Sequence, residues 1–310
     1  MSSIHAQKND QPKSVPTILR WLRMSFRLQS LISNTWAARR AYRFWFMSPR
    51  YTVPARELDW VKSGRNIQMP HAHGPINLYI WGEGEETILL LHGWSGRGSQ
   101  MGAFAEPLVA AGYRVIAMDA PGHGQTPGKA TTLFKISEAV TDVAKTYSPI
   151  KAIVAHSFGG FVLAYSLKHA ALTIDKAVCI STPARAEFLL DSFCNTLQLN
   201  DIVRNKFLAY FERDFGDDIW QRMNIDTNVS QLNVPALIIH DKDDKEVPYE
   251  LSEGLAAAWP DAQLHLTEKL GHRRILRNAN VINSVIKFIN LNHQSDISTQ
   301  TPEVSQVLVD

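Results

Sequence analysis

The sequence predicts an α/β protein with a mostly parallel central sheet flanked by helices. From residue 67 onward, short apolar runs alternate with longer amphipathic stretches. The run TILLL at 87–91 is almost wholly apolar, which is typical of a strand buried on both faces. Regular alternation of this kind favours parallel strands, because each intervening helix returns the chain to the same edge of the sheet.

Each element is predicted from its own pattern of apolar residues. The short runs predict strands at 76–81, 87–91, 114–118, 151–155, 176–180, 235–239 and 263–267, and the amphipathic stretches predict helices near 99–111, 133–146, 249–258 and 279–291.

One segment interrupts the alternation. Between Pro183 and Val234 the pattern is helical and contains no strand candidate. An insertion of this length exceeds a simple crossover, so we expect a helical lid at 183–233 over the strand ends. The α/β domain is then predicted to span 61–292, with 293–310 as a disordered polar tail.

The N-terminal residues 1–60 are predicted to form a basic, partly disordered arm. Nine basic residues and no acidic one occur between Gln11 and Arg56, whereas the rest of the chain is mildly acidic. Apolar residues recur at helical spacing from Thr17 to Met47, which predicts an amphipathic helix. Such a helix either packs on the acidic body or lies on an anionic membrane surface, and no nucleic-acid recognition motif accompanies it.

Cysteine content and hydropathy indicate the compartment. Cys179 and Cys194 show no C-x-x-C spacing and are too few for a disulfide framework, so we expect free thiols. No apolar stretch approaches the roughly 20 residues of a membrane-spanning helix, and no secretory signal is evident. We therefore expect a cytoplasmic protein, peripheral to the inner face of a membrane if the arm binds lipid.

The stretch AHSFGG, Ala155–Gly160, is the most informative part of the chain. It joins the strand at 151–155 to a helical pattern that begins at Phe161. A serine in such a strand-to-helix turn exposes its hydroxyl, and its neighbours must be small because strand and helix come close together there. This is the nucleophile-elbow pattern G-x-S-x-G, with Ala155 in place of the first glycine.

A serine hydroxyl becomes a good nucleophile only when a histidine, itself held by a carboxylate, takes its proton. In this architecture the partners follow later strands in the order serine, acid, histidine. The run HDKDDKEVP after the strand at 235–239 offers three aspartates: Asp241, Asp243 and Asp244. His272 follows the strand at 263–267, in the run EKLGHRRIL.

Five segments in this order resemble the α/β-hydrolase superfamily, over about residues 75–290. They are LLLHGWSG from Leu89, MDAPGHGQT from Met118, AHSFGG, HDKDDKEVP and LGHRRIL. Alignment on Val247 and Pro248 makes Asp244 the acid, with Asp243 and Asp241 as lesser candidates.

The resemblance implies a role for each of these residues. Ser157 is the expected nucleophile, His272 the base and Asp244 the carboxylate that orients it. Backbone N–H groups of Trp94 and Phe158 are the expected oxyanion hole.

Other residues near these motifs are expected to support the site. His92, His156 and Met101 are predicted to line the pocket, and Asp119 is predicted to brace its turn. His71 and His73 have a suggestive spacing but no acidic or thiol companions, so we expect no metal, and the chemistry implied needs no cofactor.

The predicted activity is hydrolysis of an ester, or a related acyl bond, of a small to medium apolar substrate. Thioesterases, acyltransferases and carbon–carbon bond hydrolases of the same fold stay open, as does a non-catalytic binding protein. A serine at the elbow argues against dehalogenases and epoxide hydrolases, which the family equips with a carboxylate there. The sequence does not indicate an oligomeric state.

Overall fold

The computed structural model describes residues 16–170 and 172–291. The first 15 residues of the partly disordered arm and the predicted disordered tail at 293–310 lie outside these ranges. The described residues form two compact units. We call 17–46 with 186–220 the helical unit, and 47–185 with 221–291 the sheet unit.

A sheet of eight strands forms the centre of the sheet unit. The strands are β1 (Arg65–Met69), β2 (Ile76–Trp81), β3 (Thr87–Leu91), β4 (Arg114–Met118), β5 (Ile150–His156), β6 (Lys176–Ile180), β7 (Ala236–Asp241) and β8 (Ala262–Thr267). Their order across the sheet is β1-β2-β4-β3-β5-β6-β7-β8. β2 is antiparallel to β1 and β4, and the strands from β4 to β8 are mutually parallel.

Helices occupy most of the remaining described chain. They are α1 (Thr17–Ile32), α2 (Asn34–Trp45), α3 (Ala55–Ser63), α4 (Ala105–Ala110), α5 (Leu133–Thr146), α6 (Phe158–His169), α7 (Ala186–Leu197), α8 (Asp201–Phe215), α9 (Ile219–Met223), α10 (Ile225–Val229), α11 (Glu250–Ala258), α12 (Gly271–Arg274) and α13 (Ala279–Asn290), with 3₁₀ segments at Gly98–Phe104 and Ile275–Arg277.

The mostly parallel sheet predicted from the sequence is confirmed. Every predicted strand is present, and β3 and β5 in the sheet centre are buried almost throughout. β1 was not predicted because its sequence, RNIQM, is largely polar, as suits an exposed edge. The helix predicted at 99–111 is instead a 3₁₀ segment followed by α4, since Gly98 and Gly102 lower α-helical propensity there.

The prediction of one helix over Thr17–Met47 is wrong, because two helices meet at Ser33. The extended backbone of Ser33 ends α1, and its hydroxyl accepts a hydrogen bond from the Trp36 N–H at 3.3 Å. A serine in this position is a favoured N-cap, so the chain starts a new helix instead of continuing the first.

Within the helical unit, α2 packs against α8. Ala37, Ala38 and Ala41 are fully buried, which lets the two helix backbones approach closely. Beyond them lies an aromatic cluster whose rings contact one another edge-on, tilted or, for Phe193 and Phe207, stacked. Its members are Tyr42, Trp45, Phe46, Phe193, Phe207 and Phe211. The basic arm and the helices at 186–215 therefore share one hydrophobic core. That these helices cover the strand ends as a lid stays a prediction.

Two further features are the state of the cysteines and the lengths of the helices. Cys179 and Cys194 are both buried free thiols. No helix within 16–170 and 172–291 combines the length and the apolar character needed to cross a membrane.

Phe211 is the residue on which the helical unit's core most depends, because its ring contacts those of Tyr42, Trp45 and Phe46. We expect Phe211→Ala to lower the free energy of unfolding by about 3–5 kcal/mol, as for other buried aromatic truncations. Urea denaturation measures this. Ile202→Ala, at an exposed position of α8, is the control and should stay within about 0.5 kcal/mol of the parent. Equal values for the two variants would contradict the packing described.

Candidate active site

Ser157 lies at the corner between β5 and α6. Its backbone has φ 53° and ψ −119°, a conformation that residues with a Cβ atom rarely adopt. Two hydrogen bonds fix the corner: the Ser157 N–H donates to the Ile180 carbonyl at 2.9 Å, and the Gly160 N–H donates to the Ser157 carbonyl at 3.0 Å. Strain held in place in this way is characteristic of a nucleophile elbow.

The small residues after Ser157 are required by close contacts. A Cβ atom at Gly159 would lie 2.9 Å from the Leu91 carbonyl oxygen, and one at Gly160 would lie 2.3 Å from Thr182 Cγ2. Neither position has room for a larger residue, because the end of β3 and the turn after β6 press against the start of α6. The sequence argument for small residues at this corner thus has a direct steric basis.

Asp244 and His272 form a buried acid–base pair. His272 Nδ1–H donates to Asp244 Oδ2 at 2.7 Å, and the Asp244 side chain is wholly buried. Burial alone would raise the pKa of Asp244, but hydrogen bonds from His240 and His272 outweigh it and hold that pKa well below its ordinary value. The carboxylate is therefore ionised, and the bond to Nδ1 leaves Nε2 of His272 free to accept a proton.

The three aspartates that the sequence left as candidates have separate contacts. Asp241 accepts hydrogen bonds from the Thr267 hydroxyl and from the Leu270 and Gly271 N–H groups. Asp243 accepts from the Lys269 N–H at 2.7 Å. Asp241 and Asp243 thus hold the loop that carries His272, and only Asp244 contacts the imidazole itself.

His240 is a second histidine on Asp244, and no sequence pattern pointed to it. It is fully buried at the end of β7, and its Nε2–H lies 3.3 Å from Asp244 Oδ2 and 3.0 Å from the Val247 carbonyl. Its Nδ1 lies 2.5 Å from the Ser252 hydroxyl oxygen. His240 therefore helps to fix the Asp244 carboxylate, and in the sequence only its position four residues before the acid marks it.

His156, predicted to line the pocket, instead supports the loop of His272. Its Nε2–H donates to the His272 carbonyl at 2.9 Å, and the two imidazole ring centres are 4.7 Å apart. Burial, followed by the nearby His272, lowers the pKa of His156 to about 3. His156 directly precedes Ser157 in the chain, so its hydrogen bond connects the serine corner to the backbone of His272.

His92 sets the orientation of the peptide bond between Gly93 and Trp94. His92 Nδ1–H donates to the Gly93 carbonyl at 2.7 Å, and His92 Nε2 accepts from the Ala120 N–H at 3.0 Å. Burial lowers the pKa of His92 to about 4, which suits a ring that donates on one side and accepts on the other. Because C=O and N–H of a trans peptide point in opposite directions, holding the Gly93 carbonyl aims the Trp94 N–H away from His92.

The backbone N–H groups of Trp94 and Phe158 have no hydrogen-bond acceptor among the described residues. Their side chains contact each other edge-on, with ring centres 5.0 Å apart. A Cβ atom at Gly93 would lie 3.0 Å from Ser157 Cβ, so this loop passes directly over the serine. Two unpartnered donors near a hydroxyl are the elements of an oxyanion hole.

A buried ion pair braces the loop that carries Trp94. Arg97 donates two hydrogen bonds, each 2.8 Å long, to the two carboxylate oxygens of Glu57 in α3. The Ser99 hydroxyl donates to the same carboxylate at 2.8 Å.

Asp119, predicted to brace its own turn, also accepts from the Gly98 N–H at 2.7 Å and from the Gln125 N–H at 2.8 Å.

A small pocket lies beside the serine corner in the sheet unit. Its free volume is about 10 Å³, room for about one water molecule, and its lining has no charged side chain. His92 is part of this lining, whereas Met101, predicted to line the pocket, is buried in the hydrophobic core. The pocket is lined by Leu91, His92, Trp94, Met118, His123, Ile136, Phe158 and Val162, among others.

His123 brings an unsatisfied polar atom to this pocket. Its Nδ1–H donates to the Pro121 carbonyl at 3.1 Å, and its Nε2 is buried without a partner. Burial lowers the pKa of His123 to about 3, so Nε2 presents a lone pair. The described residues contain no group of three or more ligating side chains that could hold a metal ion. The expectation that His71 and His73 lack acidic companions is wrong, because folding brings Asp142 and Glu138 of α5 next to them.

The fold and the site define a hydrolase of the α/β class. The sequence model of the Alpha/beta hydrolase family matches residues 88–283, and the chain belongs to this family.

Two curated relatives are hydrolases with the same description. The chain is 25% identical over 251 residues to a 2-hydroxy-6-oxononadienedioate/2-hydroxy-6-oxononatrienedioate hydrolase of Cupriavidus pinatubonensis, covering 66% of this chain and 86% of the relative. It is 24% identical over 280 residues to the enzyme of that description from Klebsiella pneumoniae, covering 75% and 94%.

Solved structures show the same fold. A meta-cleavage product hydrolase from Pseudomonas fluorescens matches with a TM-score of 0.54 and 21% identity, covering 74% of this chain and 98% of that chain. An esterase from Exiguobacterium antarcticum matches with a TM-score of 0.56 and 16% identity, covering 74% and 100%.

The buried neutral histidines predict an acid-sensitive fold. The pKa values of His92, His123 and His156 lie below the unfolded value of about 6.5, so the unfolded chain binds more protons at acidic pH. Stability from these residues is therefore complete above about pH 7 and is lost as pH falls from 6.5 toward 4, by roughly 1.4 kcal/mol per pH unit for each histidine.

Urea denaturation at a series of pH values tests this slope. His123→Gln should make the decline below about pH 6.5 shallower, because one of the three proton-binding groups is removed. Ile136→Val, which also alters the pocket lining but does not titrate, is the control and should lower stability equally at every pH. A decline as steep in His123→Gln as in the parent would show that this histidine is not held neutral.

Proposed function

We propose that the protein is a serine hydrolase that cleaves a carboxylic ester through an acyl-enzyme on Ser157, with His272 as base and Asp244 as its orienting carboxylate. The observation that carries this proposal is the buried Asp244–His272 hydrogen bond beside a strained serine corner. Membership of the hydrolase family and the resemblance to esterases and carbon–carbon hydrolases support it.

In the first half-reaction Ser157 Oγ attacks the carbonyl carbon while His272 Nε2 takes the hydroxyl proton. The carbon–oxygen bond of the ester then breaks, and the imidazolium gives that proton to the departing alkoxide, which leaves as the alcohol. In the second half-reaction His272 takes a proton from water, and the hydroxide attacks the acyl carbon. Ser157 leaves with the returned proton, and the carboxylic acid is released.

The negative charge on the carbonyl oxygen is proposed to be held by the Trp94 and Phe158 N–H groups. Both donors are main-chain groups without another acceptor in the described chain. Removing one such donor typically costs about 10²–10³ in kcat. His92 matters here because it fixes the peptide bond that presents the Trp94 N–H.

The proposed substrate is an ester with a short apolar acyl group, because the pocket beside Ser157 is small and mostly apolar. The lining is apolar apart from two neutral histidines, and the free volume leaves little room for a long chain. A dicarboxylate would lose its hydration in such a pocket without gaining an ionic partner.

Carbon–carbon bond cleavage is the second candidate, favoured by the names of the curated relatives. The unpartnered Nε2 of His123 is a second reason to consider this reaction. The 2-hydroxyl group of such a substrate would donate a hydrogen bond to this nitrogen. Both reactions would use the same serine, base and oxyanion donors, so only the substrate distinguishes them.

The direct test compares p-nitrophenyl esters of increasing chain length with 2-hydroxy-6-oxononadienedioate, using the parent and Ser157→Ala. We expect kcat/KM to be highest for the short esters and to fall by at least about 10⁴-fold in Ser157→Ala. Higher kcat/KM for the dienedioate would transfer the proposal to carbon–carbon cleavage. Ester hydrolysis that survives in Ser157→Ala would remove the proposed nucleophile.

The proposed positioning residues make a separate prediction. His92→Phe and His240→Phe should lower kcat by up to about 10²-fold with little change in KM, since each displaces a group that acts only in the transition state. His92→Asn can still donate to the Gly93 carbonyl and should recover part of the loss. Ser166→Ala, which alters a buried hydrogen bond between α5 and α6, is the control for general destabilisation. If His92→Phe and His240→Phe raised KM and left kcat unchanged, a positioning role would be contradicted.

A further inference from the structure

α1 has a large apolar face that no described residue covers. Six side chains point outward, and Trp21, Leu31 and Ile32 are 71%, 79% and 77% exposed. We call this set the exposed face of α1. It consists of Ile18, Trp21, Met24, Leu28, Leu31 and Ile32.

The exposed face is distinct from the side that packs. At 100° per residue, its members fall within an arc of about 140°. Phe26, which is 2% exposed, lies on the opposite side of the helix together with the half-buried Leu19 and Leu22. Packing in the helical unit therefore accounts for one apolar side of α1 and leaves the other unexplained, and contiguous exposed apolar surface of this kind marks an interaction site.

Positive charge accompanies the exposed face. α1 and α2 contain six arginines and no acidic residue, and none of the six forms an ion pair with a described carboxylate. Arg20 and Arg27 border the exposed face on the helical wheel and are themselves exposed. Arg23 and Arg40 donate hydrogen bonds, but only to uncharged acceptors.

We propose that the exposed face of α1 binds the surface of an anionic lipid bilayer. Helices with a tryptophan- and leucine-rich side bordered by arginines lie in the bilayer interface, with the apolar side among the acyl chains and the cations at the lipid phosphates. The proposal concerns where the enzyme acts and does not depend on which acyl bond it cleaves.

A second copy of the chain is a poorer occupant of this face. In a symmetric dimer the same patch meets itself, so Arg20 and Arg27 of one copy would approach those of the other. No acidic residue in α1 or α2 is present to offset that repulsion. A bilayer that contains anionic lipid supplies both the apolar medium and the opposite charge.

Co-sedimentation of the full chain with vesicles tests the proposal. The vesicles are phosphatidylcholine alone and phosphatidylcholine mixed with phosphatidylglycerol, each at low and high salt. We expect the parent to bind the mixed vesicles at low salt and to dissociate as salt is raised. Leu28→Ser combined with Leu31→Ser should lower the partition coefficient at least about tenfold, and Arg20→Gln and Arg27→Gln about fivefold each.

Two controls separate lipid binding from other effects. Leu264→Ser removes an exposed leucine from β8 in the sheet unit and should bind like the parent. Hydrolysis of a soluble ester should be unchanged in the α1 variants, which shows that they are folded. If the parent cleaves no soluble ester, far-ultraviolet circular dichroism can show instead that the variants are folded. The vesicle-binding result does not depend on ester hydrolysis.

Two outcomes would overturn the proposal. One is vesicle binding that is unaffected by the leucine and arginine variants. The other is a parent that ignores vesicles but forms a dimer by light scattering, with the leucine variants monomeric, which would assign the exposed face to self-association.

Discussion

The strained corner at Ser157 is the constraint on which the rest of the site depends. A serine with positive φ between β5 and α6 can exist only if neighbouring strands and turns fix it, and they do so through the Ile180 carbonyl and the close approach of Gly159 to the end of β3. The same close approach brings the loop after β3 over the serine. One local conformation thus places both the hydroxyl and the two unpartnered N–H groups.

Buried histidines build much of the surrounding framework. His92, His156 and His240 each donate from one ring nitrogen to a carbonyl, and each orients a different part of the site: the loop after β3, the loop of His272 and the Asp244 carboxylate. Burial keeps His92 and His156 uncharged, so their donor and acceptor sides are fixed. Protonation of His92 or His156 in acid would therefore disturb the geometry of the site.

Sequence patterns predicted the sheet and the motif-bearing residues because these depend on local periodicity and on the order of the strands. They missed what depends on contacts between distant residues. Nothing local marks Glu57 as the partner of Arg97, since 40 residues separate them and both occur in ordinary polar surroundings. Met101, predicted to line the pocket, lies in the hydrophobic core, where large apolar residues of buried segments commonly pack. Ser33 is a favoured N-cap residue and could have indicated a new helix. The helical spacing of apolar residues continues past it, so the sequence pattern predicted one helix.

Trapping the acyl-enzyme tests the central claim most directly. The protein is quenched with acid during turnover of a p-nitrophenyl ester, digested, and analysed by mass spectrometry. The account predicts an acyl group on the peptide that carries Ser157, and no such adduct in Ser157→Ala. An acyl group on another residue, or turnover by an enzyme that never carries one, would contradict it.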